Sequence, residues 1–290
     1  MKTLEKIITQ EQIDQFERDG YLIVSGLLSA EEATSLRDRF TTIHAEGAEN
    51  YQPLSLEESG GDILRHYPRV MFPDRFDDLS RDYMLDERLH SILRDLLNDE
   101  PLAAQSMFYF KPPGARGQAL HQDDFYLKTK PGSCMAAWIS VDKADRENGG
   151  MFVVPGSHKI GVLCPHMADM SKSFTTEEVD IPEGLEAIPA DMEAGDVMFF
   201  NGSVIHGSWP NSTTDRFRRA FICHYVPDSC TEMSAGYYPL HTFEGEKLTR
   251  AASEEGGPCG NEDREAFQQA VSAFSKELSA GVEQGAIAAK

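Results

Sequence analysis

Short β-rich segments separated by turns dominate the middle of the chain, between residues 104 and 227. Val, Ile and aromatic residues are concentrated in these segments, and Gly, Pro, Asn and Asp in the loops between them. No helical period is sustained in this region, which favours an antiparallel sandwich or barrel over a doubly wound parallel sheet. The segments are SMFYFK, AAWISV, MFVVPG, DVMFF and AFICHY. The sequence therefore predicts a mainly β fold.

Helices are predicted on the N-terminal side of this β region. Capping-box patterns at Thr9–Gln12 and Ser29–Glu32 mark the beginnings of two helices, and the strand-like run 21–25 lies between them. A third helix is expected over 86–98, where leucines recur at helical spacing. We expect these flanking helices to brace one outer face of a sheet.

The C-terminal segment, residues 245–290, is acidic and rich in Gly and Ala, and we interpret it as a helix and tail appended to a single domain over residues 1–244. One face of the predicted helix carries four apolar side chains, Phe267, Val271, Phe274 and Leu278. This face could pack on its own domain or on a second subunit, so a homodimer is one of two alternatives.

The charge of the chain argues against two classes of partner. Its 48 acidic and 27 basic residues give a net charge of −21, which repels nucleic acid and anionic membrane surfaces. No stretch approaches the roughly 18 apolar residues of a spanning helix, and the first residues do not resemble a signal peptide, so we expect a cytoplasmic protein. The five cysteines form no CxxC pair, and we expect them to be reduced.

Three residues are candidates for a metal site. His121 and Asp123 could supply two ligands from one extended segment, although a His-x-Asp triplet alone is common by chance. His206 follows the apolar run 197–200, and an antiparallel strand partner could bring it beside them. Two imidazoles and one carboxylate form the facial triad typical of non-haem Fe(II), with coordination positions left open.

Arginines follow the candidate metal site in the sequence. The strand-like run 218–225 alternates, so Arg218 and Arg219 face opposite sides of a sheet, but the alternation does not say which side is interior. A guanidinium on the inner side could bind the distal carboxylate of a 2-oxo acid.

Several longer segments resemble the phytanoyl-CoA dioxygenase family of Fe(II)/2-oxoglutarate-dependent oxygenases, over about residues 10–227. They are DGYLIVSGLLSAEEATSL, SMFYFKPPG, LHQDDFYL, AAWISVDKADRENGGMFVVPGSHK, AGDVMFFNGSVIHGSWPN and FRRAFICHY. The resemblance implies a double-stranded β-helix (jelly-roll, cupin-like) core with iron bound by His121, Asp123 and His206. It also implies a 2-oxoglutarate-binding arginine, which the family's pattern of Phe-Arg, a basic residue and Ala identifies as Arg218, with Arg219 turned outward.

The same resemblance implies four further contacts to 2-oxoglutarate: Trp138, Met107, Ser208 and Arg69. By composition alone, Trp138 and Met107 are more often core residues and Ser208 is a turn hydroxyl. Related halogenating enzymes have a small residue in place of the metal carboxylate, so the presence of Asp123 implies hydroxylation or another C–H oxidation.

The implied function is that of a non-haem iron dioxygenase that uses Fe(II), 2-oxoglutarate and O2. It would hydroxylate, or otherwise oxidise a C–H bond of, a small organic molecule and release succinate and CO2. Loops 47–73, 125–131 and 162–189 are expected to select the substrate. The negative charge disfavours a polyanionic acyl-CoA and favours a small natural-product or amino-acid-like molecule.

Two alternative functions stay open from the sequence. A cupin-type metal dioxygenase that does not use 2-oxoglutarate could share the fold and the metal ligands, but it would have no use for Arg218. A non-catalytic small-ligand-binding protein on the same fold is the second alternative, although buried ligands without a metal would be costly to leave unpaired.

Overall fold

The computed structural model describes residues 6–253 of the chain. Its helices are α1 (Gln10–Asp19), α2 (Ala30–Glu46), α3 (Ile63–His66), α4 (Asp78–Met84), α5 (Glu87–Leu97) and α6 (Asp124–Leu127). Its longer strands are β1 (Tyr21–Val24), β3 (Pro101–Tyr109), β4 (Gln118–His121), β5 (Met135–Ser140), β6 (Met151–Val153), β9 (Ile188–Ala190), β10 (Val197–Asn201), β11 (His206–Ser208) and β12 (Ala220–Pro227). Two-residue strands are β2 (Val70–Met71), β7 (His166–Met167), β8 (Glu177–Glu178), β13 (Glu232–Met233), β14 (Leu240–His241), β15 (Lys247–Leu248) and β16 (Ala251–Ala252).

Two antiparallel sheets form the body of the protein. The larger sheet has the strand order β1-β10-β5-β12-β3-β14-β15, with β2 paired to β3, and the smaller sheet has the order β4-β11-β6-β9. Each of the five β-rich segments contributes a strand, so the prediction of a mainly β fold is confirmed. The architecture is a jelly roll, in which the mouth and interior between the two sheets can hold a ligand.

The two-residue period of the central strands divides the apolar residues between two cores. One face of the larger sheet packs against the helices, through side chains that include Ile139, Phe199 and Phe221. The opposite face looks toward the smaller sheet, through side chains that include Trp138, Phe200 and Ile222. The second face therefore forms the inner wall of the jelly roll.

The N-terminal helices brace the outer face of the larger sheet, as predicted. Both capping boxes are formed, at Thr9 and at Ser29. The ring of Phe40 on α2 stacks on Phe108 of β3 with 3.8 Å between ring centroids. Helix α5 begins after its cap at Asp86 and packs on β3 and β5, and its buried residues are Leu89, Ser91, Ile92 and Leu93. One wall of the inner cavity is thus backed by a packed helical layer.

The end of the described chain stays attached to the larger sheet. Strand β15 pairs with β14, which itself pairs with β3, so residues beyond 244 still extend this sheet. The predicted C-terminal helix lies outside the described residues, and the single domain ending at residue 244 stays a prediction. None of the helices within residues 6–253 has the length and apolar content of a bilayer-spanning segment.

The cysteines differ in oxidation state. Cys134, Cys223 and Cys230 are buried free thiols. Cys164 is disulfide-bonded, so the expectation that the cysteines are all reduced is wrong at this position. A scattered, odd-numbered set of cysteines carries no pairing signal in the sequence, because pairing depends on which side chains the fold brings together.

Candidate active site

Strand pairing brings the two candidate histidines together. Strand β4 ends at His121 and β11 begins at His206, and these two residues are direct partners in the antiparallel ladder. Asp123 follows two residues after β4, immediately before the single turn of α6. All three side chains are buried, and one potential ligand atom from each lies within 4.8 Å of the others. The structure therefore assembles the candidate triad across the smaller sheet.

Backbone carbonyl groups orient both imidazole rings. His121 Nδ1 lies 2.9 Å from the Ala119 carbonyl oxygen, and His206 Nδ1 lies 3.0 Å from that of Val204. With the proton on each Nδ1, the Nε2 lone pairs face the carboxylate of Asp123, at 3.6 Å from His121 and 3.8 Å from His206. This is the arrangement in which histidine ligands are held for a metal ion.

The protonation states also suit a metal ion. Burial lowers the pKa of His121 to about 3, which keeps this imidazole neutral. Burial acts to raise the pKa of Asp123, but the adjacent His206 and His224 outweigh it and hold this pKa below its usual range. A metal ion requires neutral imidazoles and an ionised carboxylate. Two nitrogen donors and one carboxylate at this spacing fit Fe(II), whereas structural zinc normally closes its coordination with a fourth protein ligand.

A cavity of about 330 Å³ lies against the triad, between the two sheets. The five residues predicted to contact 2-oxoglutarate all line this cavity, together with His121, Asp123 and His206. Trp138, Met107 and Ser208 are buried in its walls, and Arg69 reaches it from the mouth. Arg69 donates to the hydroxyl of Tyr109 at 3.0 Å. The structure thus brings the predicted metal and co-substrate residues into one site.

Arg218 is a buried cation with an unused hydrogen-bond donor. Its residue is 2% exposed, its Nε donates to the Gly149 carbonyl at 2.9 Å, and its guanidinium lies 5.3 Å from the ring centroid of Trp138. Its Nη1 has no hydrogen-bond partner among the described residues. Burial lowers the pKa of Arg218 to about 10, so it remains charged at neutral pH. A buried, unsatisfied guanidinium is costly unless an anion binds there.

The neighbouring Arg219 points away from the cavity. Its Nε and Nη2 bind the two carboxylate oxygens of Asp142 at 2.7 and 2.9 Å. Both side chains are about one-fifth exposed. The alternation predicted from the sequence therefore separates the two arginines, and only Arg218 faces the interior.

Comparison with known proteins identifies the family. The model of the phytanoyl-CoA dioxygenase (PhyH) family matches residues 16–220, which is more than half of the chain. The chain belongs to this family. A probable phytanoyl-CoA dioxygenase of Caenorhabditis elegans is 30% identical over 77% of this chain and 76% of its own length. Phytanoyl-CoA dioxygenase 1 of Oryza sativa subsp. japonica is 26% identical over 78% of this chain and 92% of its own length.

Solved structures agree with the fold of this family member. The epimerase SnoN, in complex with Fe3+, alpha-ketoglutarate and nogalamycin RO, superposes with a TM-score of 0.63 at 19% identity, covering 85% of this chain and 95% of SnoN. EctD from S. alaskensis, with 2-oxoglutarate and 5-hydroxyectoine, superposes with a TM-score of 0.60 at 20% identity, covering 77% of each chain. At these identities the likeness establishes the jelly-roll fold.

Two polar residues in contact with the triad escaped the sequence analysis. His224 Nε2 lies 2.9 Å from Oδ2 of Asp123, where it can donate a hydrogen bond that fixes the carboxylate. Gln118 Nε2 lies 2.9 Å from His121 Nε2, beside the face where a metal would bind. His224 shares the strand face of Arg218, so alternation offered a signal for it. Gln118 had no signal, because the fold alone places it there.

The mouth of the cavity is formed by the three loops expected to select the substrate. Arg69, Tyr126 and the pair Thr175 and Glu177 come from these loops, one loop each. Tyr237, which lies beyond β12, completes the mouth and was not expected from the sequence. The mouth therefore combines a cation, a carboxylate and phenolic hydroxyls.

Proposed function

We propose that this protein is an Fe(II)/2-oxoglutarate-dependent dioxygenase that hydroxylates, or otherwise oxidises a C–H bond of, a small organic molecule. The observation that supports the proposal most directly is the sharing of one cavity by the His121, Asp123 and His206 triad and the unsatisfied guanidinium of Arg218. A metal-binding face and an anion-binding group in one buried space suit a bidentate keto acid with a distal carboxylate.

Each residue of the proposed site has a distinct task. His121, Asp123 and His206 would hold one face of the metal ion, and His224 would fix the orientation of Asp123. Arg218 would bind the distal carboxylate, while the buried ring of Trp138 excludes water from it. When bound, Fe(II) and 2-oxoglutarate would supply, with O2, the oxidising power for the C–H bond, with release of succinate and CO2.

The substrate is proposed to be small and polar. The cavity of about 330 Å³ lies at the lower end of the range for drug-sized ligands, about 300 to about 1,000 Å³. Because the same cavity must also hold 2-oxoglutarate, little volume is left for the substrate. Glu177 at the mouth and the net charge of −21 oppose a polyanionic acyl-CoA. A cytoplasmic location stays a prediction from the sequence, and a homodimer stays one of the two alternatives that the sequence leaves open.

The two alternative functions have less support. A cupin-type dioxygenase without 2-oxoglutarate leaves the buried charge of Arg218 without a use. A non-catalytic binding protein leaves the convergence of two imidazole nitrogens on the buried carboxylate of Asp123 without a use.

The test is an anaerobic titration with Fe(II) and 2-oxoglutarate, followed by a substrate screen scored by succinate release. We expect a visible charge-transfer band in the wild-type protein and its loss in His121→Ala, Asp123→Ala and His206→Ala, because a triad lacking one ligand loses metal affinity. His166→Ala, on an exposed residue, is the matched control and should keep the band. A wild-type protein that binds Fe(II) but not 2-oxoglutarate would contradict the proposal.

A further inference from the structure

A second buried basic side chain lies next to the proposed 2-oxoglutarate site and has no role in the function proposed above. Lys111 follows β3 by two residues and is 3% exposed. Its Nζ donates to Oγ of Ser208 at 2.8 Å. No carboxylate among residues 6–253 forms an ion pair with it, and the charged group that acts on it is Arg218, another cation.

The local fold directs Lys111 inward. Its backbone has φ 38, in the left-handed region, and its carbonyl accepts from Arg218 N and Asn211 Nδ2, both at 3.1 Å. A Cβ at Gly149 would lie 2.6 Å from Lys111 Cε, so the absence of a side chain there leaves space for the lysine. A strained non-glycine residue persists only where its surroundings hold it, and such strain concentrates at functional sites.

Two cations buried together are unfavourable in the absence of an anion. Arg218 and Lys111 are each nearly inaccessible, and burial disfavours the charged form of Lys111 by holding its pKa well below its usual range. A carboxylate bound beside the two side chains would favour their charged forms. Replacing buried charges by apolar groups often stabilises a protein, so their presence here indicates a ligand that compensates them. Ser208 connects Lys111 with the cavity, because it accepts a hydrogen bond from Lys111 and also lines the cavity.

We propose that Lys111 is a positioning residue for the distal carboxylate of 2-oxoglutarate, acting through Ser208 opposite Arg218. The Ser208 oxygen accepts a hydrogen bond from the lysine, which leaves its single hydroxyl proton free to be donated into the cavity. The carboxylate then accepts hydrogen bonds from Arg218 on one side and from Ser208 on the other. The charge of Lys111 adds to the positive potential at this end of the cavity. This inference rests on the proposed function, since it requires 2-oxoglutarate in the cavity.

The experiment compares two keto acids on the anaerobic Fe(II) protein. Both 2-oxoglutarate and 2-oxobutanoate present the same keto-carboxylate to the metal, but 2-oxobutanoate lacks the distal carboxylate. We expect Lys111→Met to weaken 2-oxoglutarate binding at least about tenfold and to change 2-oxobutanoate binding by less than about twofold. Lys159→Met, on an exposed lysine, should change neither.

Three further measurements distinguish positioning from a structural role. The ligand-free Lys111→Met protein should unfold at the same or a higher temperature than the wild type, because an uncompensated buried cation has been removed. Ser208→Ala should weaken 2-oxoglutarate binding as well, and the double variant should lose less than the product of the two single losses. Lys111→Gln, which keeps a polar group without the charge, should show a smaller loss than Lys111→Met.

The outcomes separate the inference from the function on which it rests. Equal weakening of both keto acids, or unchanged 2-oxoglutarate binding in Lys111→Met, would overturn the role of Lys111 alone. Binding of 2-oxoglutarate by the wild type no tighter than that of 2-oxobutanoate would overturn the proposed co-substrate, and the inference with it.

Discussion

Adjacent arginines on one strand illustrate how single residues divide between binding and stability. Arg218 is buried beside Trp138 with an unsatisfied donor, whereas Arg219 forms a bidentate pair with Asp142 on the other side of the sheet. The chemical groups are identical, so their roles differ only through the face on which the strand places them.

We predict that Arg218→Ala weakens 2-oxoglutarate binding at least about tenfold, because losing one partner of a desolvated charge pair costs about 2–5 kcal/mol. Arg219→Ala should change this affinity by less than about twofold, since its partner is Asp142. Anaerobic titration of both Fe(II) proteins measures the difference. A large loss in the Arg219 variant alone would show that the wrong arginine has been assigned.

The residues of the site were predictable where the sequence contains a pattern. His121, Asp123 and His206 stand in segments with clear family resemblance, and strand alternation placed Arg218 and Arg219 on opposite faces. Other groups, such as Gln118 and Lys111, become part of the site only through contacts between distant segments. Lys111 meets Ser208 across 97 positions of sequence, a distance that no local pattern can bridge.

At the scale of elements, the turn over residues 147–150 acts as the support of the anion-binding end of the cavity. The side chain of Asn148 donates to the carbonyls of Lys143 and Phe217. These two hydrogen bonds fix the turn to the segment before it and to the segment that leads into β12. The carbonyl of Gly149 accepts from Arg218 Nε, and that of Gly150 accepts from Trp209 N. The turn therefore determines where the guanidinium lies.

We predict that Gly149→Ala destabilises the protein more than Gly184→Ala. Both glycines have positive φ, 88 and 84, and an alanine there costs about 1–2 kcal/mol. At Gly149 the added Cβ also lies 2.8 Å from the Trp209 carbonyl oxygen and 2.6 Å from Lys111 Cε, whereas nothing lies within 4 Å at Gly184. Overpacking adds typically about 1–3 kcal/mol.

Chemical denaturation of both variants and the wild type measures the two free energies of unfolding. Gly149→Ala should also weaken 2-oxoglutarate binding, because its carbonyl positions Arg218, while Gly184→Ala should leave that binding unchanged. Equal destabilisation of the two variants would show that the turn has room for a side chain.

Strand length explains which elements the sequence could predict. Strands β3, β5, β10 and β12 have at least five residues, enough for a visible two-residue period, and each was predicted. Two-residue strands such as β7, β8 and β15 have no period to detect, and they form because a neighbouring strand is available to pair. The capped helices were predictable for a different reason, since a capping box is a local pattern.

The whole molecule combines an acidic exterior with a cationic interior site. The net charge is −21, yet the two side chains buried at the proposed co-substrate site, Arg218 and Lys111, are both basic. Repulsion among the acidic residues opposes the compact state, while the buried cations locally attract a carboxylate that the outer field would repel. Because these side chains are buried, salt screens this local attraction much less than it screens interactions between surface charges.

We therefore predict that the unfolding temperature of the ligand-free protein rises when NaCl is increased from about 0.01 M to about 0.15 M, where the screening length falls from about 30 Å to about 8 Å. Long-range repulsion among 48 acidic residues is screened over this range, while contact pairs such as Arg219 with Asp142, at 2.7 Å, are affected less. The same titration near the isoelectric point is the control, because repulsion is then absent and the rise should vanish. A fall in unfolding temperature at neutral pH would mean that attractive surface pairs outweigh the net charge in setting the stability of this fold.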